Sequence, residues 1–296
     1  MKKYIGESAL LTNTLIWGGT FVIIKTALND VSPMLFIAIR FSLAAILFLP
    51  FIFKIFRGIN RDTFIGGIVL GALFFLGFAA QTLGLNYTTA TKSGFITGTF
   101  VIFIPIFQLL IQKKTPKKSS LIGIAIVIIG LLFLSSKGEN IFAVFLELGS
   151  GFNLGDFLTL ICALFFGLYV VCVDLITKKN PYMPLVFLQI SITGISGIII
   201  SLILFIFNIE EIRFSLTSNL IFAILYTSLL ATIITTILQT RFQKKVSPSR
   251  AGIILSFEPI FAALAAFLIL GEKVSTFGFL GGILIFTGLV VSEIFD

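Results

Sequence analysis

The chain has 296 residues, 57% apolar and only 11% charged, with a mean hydropathy of +1.13. A soluble domain carries about 25% charged residues, so this composition excludes a soluble globular protein. The absence of His excludes imidazole proton relays and His metal sites, and the net charge of +8 has a meaning that only its distribution can give.

Apolar runs recur throughout, each long enough to cross about 30 Å of hydrocarbon as a helix. The patterning predicts ten spans, roughly 8–28, 33–53, 64–85, 93–112, 119–136, 154–177, 184–207, 217–239, 250–270 and 276–294. The N-terminal stretch MKKYIGESALLTNTLIWGGTF begins like a signal peptide. Its apolar run continues to Leu28 without a small-residue cleavage site, which predicts a retained first helix. Connections are short and carry the breakers: Asn29-Asp30 with Pro33, Pro116, Pro181 with Pro184, Pro248, and Gly271-Glu272. The longest, 137–153, contains IFAVFLEL at 141–148, too short to span and suited to the membrane interface. Cys162 and Cys172 share one predicted helix about 15 Å apart, so they cannot pair, and they have no metal-ligand spacing.

Basic residues set the expected orientation. With the N-terminus inside, the inner segments hold Lys2, Lys3; Lys54, Arg57, Arg61; Lys113, Lys114, Lys117, Lys118; Lys178, Lys179; and Arg241, Lys244, Lys245, Arg250. The outer ones hold only Lys25, Lys92, Lys137, Arg213 and Lys273, and Arg40 lies within a span. This bias over short loops predicts that both termini are cytoplasmic. Spread over several short segments rather than one face, the basic excess also argues against nucleic-acid binding.

The chain repeats itself. At an offset of 158 positions Gln81-Thr82 falls on Gln239-Thr240, Lys92 on Arg250, Gly94 on Gly252, Gly123 on Gly281, and Gly130-Leu131 on Gly288-Leu289. At 149, Trp17-Gly18 falls on Phe166-Gly167, Thr20 on Tyr169 and Arg40 on Gln189. The difference implies a nine-residue insertion in the second copy, most simply near NIEEIRFS. The expected organisation is therefore a first repeat at 1–136, a connecting loop at 137–153 and a second repeat at 154–296. Five spans per copy, an odd number, insert the copies upside down relative to each other. The charges agree: the loop at Lys113–Lys118 is basic and its mate at Gly271–Lys273 is not, while the loop near Lys92 is nearly bare and its mate from Arg241 to Arg250 is basic. Inverted repeats of this kind are typical of secondary transporters.

Polar side chains inside spans mark protein or water contacts rather than lipid. Asn13, Trp17 and Thr20 fall on span one, Gln81 on span three, Thr97 and Gln108 on span four, Gln189, Thr193 and Ser196 on span seven, and Ser228, Thr232, Thr235 and Gln239 on one face of span eight. Single Ser and Thr side chains suit helix–helix packing, whereas Gln81, Gln189, Gln239 and Asn13 need several partners and suit a cavity. Arg40 is either an anion-binding group or an anchor for backbone carbonyls or for Glu258. Glu258, just before Pro259, is either a proton-coupling acid or a cap at a proline kink. Trp17 supplies either an apolar wall with one N–H donor or a packing contact. Asp174 suits an interfacial anchor. Gly123, Gly130, Gly281 and Gly288 give smooth faces, for close packing within the fold or for a dimer.

Several of these residues resemble the EamA family of the drug/metabolite transporter superfamily. The resemblance lies in Trp17-Gly18 with Phe21; Arg40-Phe41; Gln81, Gly84-Leu85 and Tyr87-Thr88; Gly94-Phe95-Ile96-Thr97-Gly98; Glu258-Pro259; Leu270-Gly271-Glu272; and Gly281 with Gly288. It covers nearly the whole chain and implies an all-α membrane protein of two inverted five-helix repeats. Spans one to four and six to nine would line a central cavity, with spans five and ten outside. The implied activity is carriage, commonly export, of small metabolites such as amino acids or drug-like compounds across the inner (plasma) membrane, as a monomer or homodimer. A substrate cavity is expected at Asn13, Trp17, Thr20, Arg40, Gln81, Thr97, Tyr169, Gln189, Thr235 and Gln239, with Glu258 as a site for a coupling proton. The only partners expected are a small-molecule substrate, that proton and the lipid bilayer; no cofactor or metal is expected. A lipid-modifying membrane enzyme would need paired carboxylates, a His or a metal cluster near one interface, and no such set is present. A scaffold should carry large soluble loops, and a channel a ring of charges or a filter segment, neither of which the sequence contains.

Overall fold

The structure is a computed structural model and describes residues 4–51, 59–135, 153–271 and 276–294. The 141–148 segment, and with it Lys2, Lys3, Lys54, Arg57, Lys137, Glu272 and Lys273, lies outside the described residues.

The described residues are almost entirely helical: α1 (Ile5–Ala27), α2 (Pro33–Leu47), α3 (Arg61–Tyr87), α4 (Ala90–Gly98), α5 (Phe100–Gln112), α6 (Lys118–Ser135), α7 (Leu154–Thr177), α8 (Tyr182–Ile206), α9 (Ser218–Leu225), a π-helical segment (Tyr226–Ile234), α10 (Thr235–Phe242), α11 (Pro248–Leu255), α12 (Glu258–Leu270) and α13 (Thr276–Ile294). Eight stretches are long and apolar enough to cross a membrane: α1, α2 with the turn after it, α3, α4 with α5, α7, α8, Ser218–Lys245, and α11 with α12. Shorter apolar stretches, Lys118–Phe133 and Thr276–Gly288, lie within α6 and α13.

Local chemistry sets the starts and stops. Side chains of Asn60, Thr89, Thr217 and Ser247 accept from backbone N–H groups three residues on and cap α3, α4, α9 and α11. Asn153 and Asp156 form a reciprocal capping box on α7. Gly271 closes α12 in the left-handed region (φ 68°), where a side chain would be strained. Lys113 closes α5 in the same conformation (φ 54°), 158 residues earlier.

Polarity is distributed as in a lipid-embedded protein. Large apolar residues such as Ile206, Phe207, Leu268 and Phe279 are exposed, while Asn13, Arg40, Gln81, Gln189, Gln239 and Glu258 are buried. The interior is aromatic around α2, α3 and α7. Phe74 packs edge-on to Phe41 and Phe78 at 5.7 and 4.7 Å and stacks on Tyr169 at 5.0 Å, and Phe78 meets Phe166 at 5.1 Å.

The helices touch mainly through small residues. A Cβ on Gly130 would stand 2.8 Å from the Gly281 carbonyl oxygen, and one on Gly288 2.7 Å from that of Gly123. The glycine faces of α6 and α13 are therefore used on each other, which is the packing reading of those four residues. At one end of the molecule a Cβ on Gly155 would meet the Gly84 carbonyl at 2.6 Å; at the other, a Cβ on Gly6 would meet Val246 at 2.7 Å and the Phe242 carbonyl at 3.2 Å.

Gly130→Val should destabilise the protein by about 1–3 kcal/mol by overpacking α6 against α13. Gly282→Val, where a Cβ meets nothing within 4 Å, should be near neutral. Melting of the two variants in detergent checks this, and equal melting temperatures would contradict the backbone contact.

Candidate substrate cavity and its closures

A cavity of about 30 Å³ lies among α1, α3, α5, α7, α10, α11 and α12, lined by Trp17, Thr20, Phe74, Phe78, Gln81, Phe100, Phe166, Tyr169, Val170, Gln239, Leu255 and Glu258. That holds about two water molecules and no metabolite, so the conformation is closed around its centre. A larger groove, about 570 Å³, opens between α12 and α13, but its lining is Phe, Ile, Ala, Leu and Gly alone. A wholly apolar groove on the lipid-facing exterior suits hydrocarbon chains rather than a polar solute.

Two broken helices position part of the lining. One long stretch breaks between α4 and α5 at Thr99, and another between α11 and α12 at Ser256 and Phe257. Pro259, the second residue of α12, has no N–H to continue a regular ladder. Each second half-helix starts on a lining residue, Phe100 for α5 and Glu258 for α12, and these two are 158 positions apart. Other lining residues fall into pairs under the same offsets: Gln81 with Gln239, Trp17 with Phe166, Thr20 with Tyr169.

Six sequence-predicted residues line the cavity: Trp17, Thr20, Gln81, Tyr169, Gln239 and Glu258. The Glu258 carboxyl group is buried, and among the described residues it has no hydrogen-bond partner, so it does not cap the kink. The other five lie behind the wall and brace it. Asn13 Nδ2 donates to the Thr235 carbonyl at 3.0 Å, and Thr235 Oγ1 accepts from Trp17 Nε1 at 3.1 Å. Thr97 Oγ1 stands 3.4 Å from Gln81 Nε2. Gln189 accepts from the Tyr169 hydroxyl at 2.7 Å and donates to Thr240 at 3.1 Å.

Arg40 does not line the cavity either. Its Nε donates to Thr232 Oγ1 at 2.9 Å and its Nη2 to the Ala231 carbonyl at 3.1 Å, with the guanidinium over the Phe41 and Phe78 rings at 4.9 and 4.7 Å. Both acceptors belong to the π-helical segment Tyr226–Ile234, whose turns are wider than those of an α-helix. Ala231 O accepts from Arg40, from Trp17 Nε1 at 3.0 Å and from Thr235 Oγ1 at 2.9 Å. Ser228 Oγ donates to the Arg40 carbonyl at 2.9 Å. The polar stripe of the eighth predicted span is thus turned toward α1 and α2, and only Gln239 reaches the cavity.

Two ion pairs that the sequence reading missed flank the centre. Lys92 Nζ meets Asp156 at 2.6 Å, joining α4 to α7 at one end. Arg250 meets Glu7 at 3.0 Å, joining α11 to α1 at the other. The partners are related by the sequence offsets, Lys92 to Arg250 by 158 and Glu7 to Asp156 by 149. That relation between the two copies is the signal the sequence carries for them. The missed lining, Phe74, Phe78, Phe100, Phe166, Val170 and Leu255, is apolar, and of these only Phe166 and Phe100 carried a signal, as mates of Trp17 and Glu258. Asp174 pairs with Lys178 at 2.7 Å and accepts from Gln112 at 3.1 Å, near the end of α7 where an interfacial anchor belongs. Cys162 and Cys172 are both free thiols on α7.

Residues 4–136 and 153–293 match the model of the EamA-like transporter family. The chain belongs to the EamA-like transporter family. An Archaeoglobus fulgidus protein described as an uncharacterized transporter is 34% identical over 98% of this chain and 86% of its own length. The Bacillus subtilis uncharacterized transporter YoaV is 24% identical over 96% of this chain and 94% of its own. A crystal structure superposes with a TM-score of 0.75 at 14% identity, covering 98% of this chain and 96% of the other, which speaks for the fold alone. This EamA-like chain is therefore a multi-pass membrane transporter with a closed central cavity.

In this EamA-like protein Arg40 is a brace. Arg40→Leu should cost about 2–3 kcal/mol through two lost charge-assisted hydrogen bonds. Arg40→Lys should restore only part, because an ammonium cannot reproduce the planar fork. Melting of both variants in detergent tests this. An unchanged melting temperature for Arg40→Leu would return Arg40 to the list of ligand-binding groups.

Proposed function

We propose that the chain is a secondary carrier that moves a small solute through the central cavity by alternating access, in ten spans arranged as two inverted repeats with both termini in the cytoplasm. The carrying observation is the matched set of ion pairs, Lys92–Asp156 and Glu7–Arg250, at opposite ends of one closed cavity. If the two repeats are related by an in-plane axis, each pair is the other's counterpart and acts as a gate for one side. Breaking one while keeping the other opens the cavity to a single face, which is what alternating access requires. Both pairs are formed here, in keeping with a cavity that holds only about two waters. The equivalent breaks at Thr99 and Phe257, the left-handed closures at Lys113 and Gly271, and the paired lining residues support the same reading.

The expected basic bias puts the Lys92–Asp156 pair on the outer side and Glu7–Arg250 on the inner side of the plasma membrane. Glu258, an unpartnered acid facing the cavity, is the group to carry a coupling proton. A solute leaving outward would then exchange for an incoming proton, making the chain an exporter.

The gates predict opposite biases. In a background with Cys162 and Cys172 replaced by Ala, Thr20→Cys places one thiol in the cavity. Lys92→Gln should raise its labelling by a membrane-impermeant maleimide from outside about tenfold, as expected if a gate of ~1.4 kcal/mol is lost. Glu7→Gln should lower outside labelling and raise it from inside. Equal labelling of both variants from both sides would rule out these pairs as gates.

A further inference from the structure

We propose that the cavity selects a protonated amine attached to an apolar, preferably aromatic, body, and not a carboxylate or an amino-acid zwitterion. The inference rests on the carrier reading for its function but on different atoms for its evidence, namely what the cavity wall leaves unused.

The wall's donors are committed. Trp17 Nε1 donates to Ala231 O and Thr235 Oγ1, the Tyr169 hydroxyl to Gln189, and Thr20 Oγ1 to the Trp17 carbonyl at 2.6 Å. Arg40, a cation buried within a span, is held by the π-helical segment and is outside the lining. The start of α12 offers no row of N–H groups to an anion. Phe257 N donates to Ile254 O, Ile260 N and Phe261 N to Phe257 O, and Pro259 has no N–H, which leaves the N–H of Glu258 alone. The side-chain donors left for a ligand are neutral amide N–H groups, those of Gln81, whose contact to Thr97 is long at 3.4 Å, and the second N–H of Gln239 Nε2.

The wall's acceptors are free. Glu258 is 7% exposed, and among the described residues no group pairs with its carboxylate. Gln239 is 1% exposed and its Oε1 has no partner. Its orientation follows from its neighbours. Val170 O can only accept, so Gln243 must turn Nε2 to it (2.6 Å) and Oε1 toward Gln239; Gln239 must then donate with Nε2 (2.8 Å), which leaves its own oxygen over. A buried acceptor without a partner costs free energy that a ligand N–H recovers. The remaining surface is π-rich: Trp17, Phe74, Phe78, Phe100, Phe166 and Tyr169. Aromatic faces attract a cation and accept an apolar body. An anion would meet the ionised Glu258 in a site of low dielectric with only neutral amide N–H groups, and no cation, in the lining to oppose it.

Exchange of such a cation for a proton at Glu258 is balanced. The ammonium leaves the carboxylate as a proton arrives, and the site never holds an uncompensated charge.

The probes are 2-phenylethylamine, its N,N,N-trimethyl derivative, 3-phenylpropionate, 2-phenylethanol and phenylalanine, applied to purified wild-type protein. Thermal shift reads binding and counterflow of labelled 2-phenylethylamine in proteoliposomes reads transport. The amine should stabilise the protein and exchange; the acid and the alcohol should do neither; phenylalanine should be at least about tenfold weaker, because its carboxylate lacks a donor. Gln239→Leu should weaken the primary amine while leaving the trimethyl compound unchanged, since only the former has N–H groups to give. Glu258→Gln should abolish the preference for amine over alcohol, and Glu258→Asp should retain it. Binding of phenylpropionate or phenylalanine in preference to the amine overturns the assignment while leaving the carrier reading intact. Binding of none of the series overturns it too, and the carrier reading then stands or falls on the cysteine labelling alone.

Discussion

A polar group inside this protein has only other protein groups to satisfy it, because the exposed faces of its helices are apolar and face a solvent that neither donates nor accepts hydrogen bonds. That constraint organises the interior. Asn13, Trp17, Arg40, Ser228, Thr232 and Thr235 form one connected set around the carbonyl of Ala231, which takes three donors at once. That carbonyl lies in the π-helical segment, and Arg40 ties the segment to α2 through it and through Thr232. Without the guanidinium the carbonyl keeps Trp17 and Thr235 as donors, but the tie between the segment and α2 loses two charge-assisted hydrogen bonds. The same constraint makes the leftovers in the cavity wall informative: among the described residues that line it, the Glu258 carboxyl group and the Gln239 oxygen are polar groups without a partner.

Closure of the cavity is held from its two ends rather than from within. The ion pairs lie where α4 meets α7 and where α1 meets α11, next to the close backbone approaches at Gly84 and Gly155 and at Gly6 and Phe242. Close packing of glycines gives the joints a defined seat, and a partly exposed ion pair gives them a latch of modest strength. On the proposed alternating-access reading, a latch of a few kcal/mol or less is the right size for a joint that opens and closes with each cycle, since a fully buried pair would commit the protein to one state.

Much of this fold was legible because lipid imposes strict rules. Each helix has to be an apolar run of sufficient length, and Pro33, Pro181, Pro248 and Gly271 punctuate those runs where the structure breaks them. The π-helical segment was not legible: no Pro or Gly marks Tyr226–Ile234, and its polar residues meet α1 and α2 rather than the cavity. Arg40 could be given two roles from sequence, and only its donors' partners chose between them. The cavity's aromatic wall was hidden by abundance, since the chain has 35 Phe residues and sequence alone cannot say which few face inward. The ion pairs were hidden for the opposite reason. Their basic members had been counted for orientation, and the acidic members, Glu7 and Asp156, looked like ordinary first-turn residues of α1 and α7.

Four pairs of lining residues are related by the sequence offsets, and one of them is chemically mismatched. Gln81 and Gln239 match, Trp17 is answered by Phe166, and Thr20 by Tyr169, but the first residue of α5 is Phe100 and that of α12 is Glu258. Two half-helices that start at the same place would, with identical residues, treat a solute alike from both sides. With an acid on one and a ring on the other, a bound cation lies between a charge and a π-face, each attracting it by a different law: the Coulomb term grows as water leaves the site, and the ring term needs contact. Release from such a site is cheapest when a proton neutralises the acid, because the ring alone holds a cation only weakly. If the chain exchanges a cation for a proton as proposed, the asymmetry at this pair of positions is the feature that would tie the exit of solute to the entry of a proton.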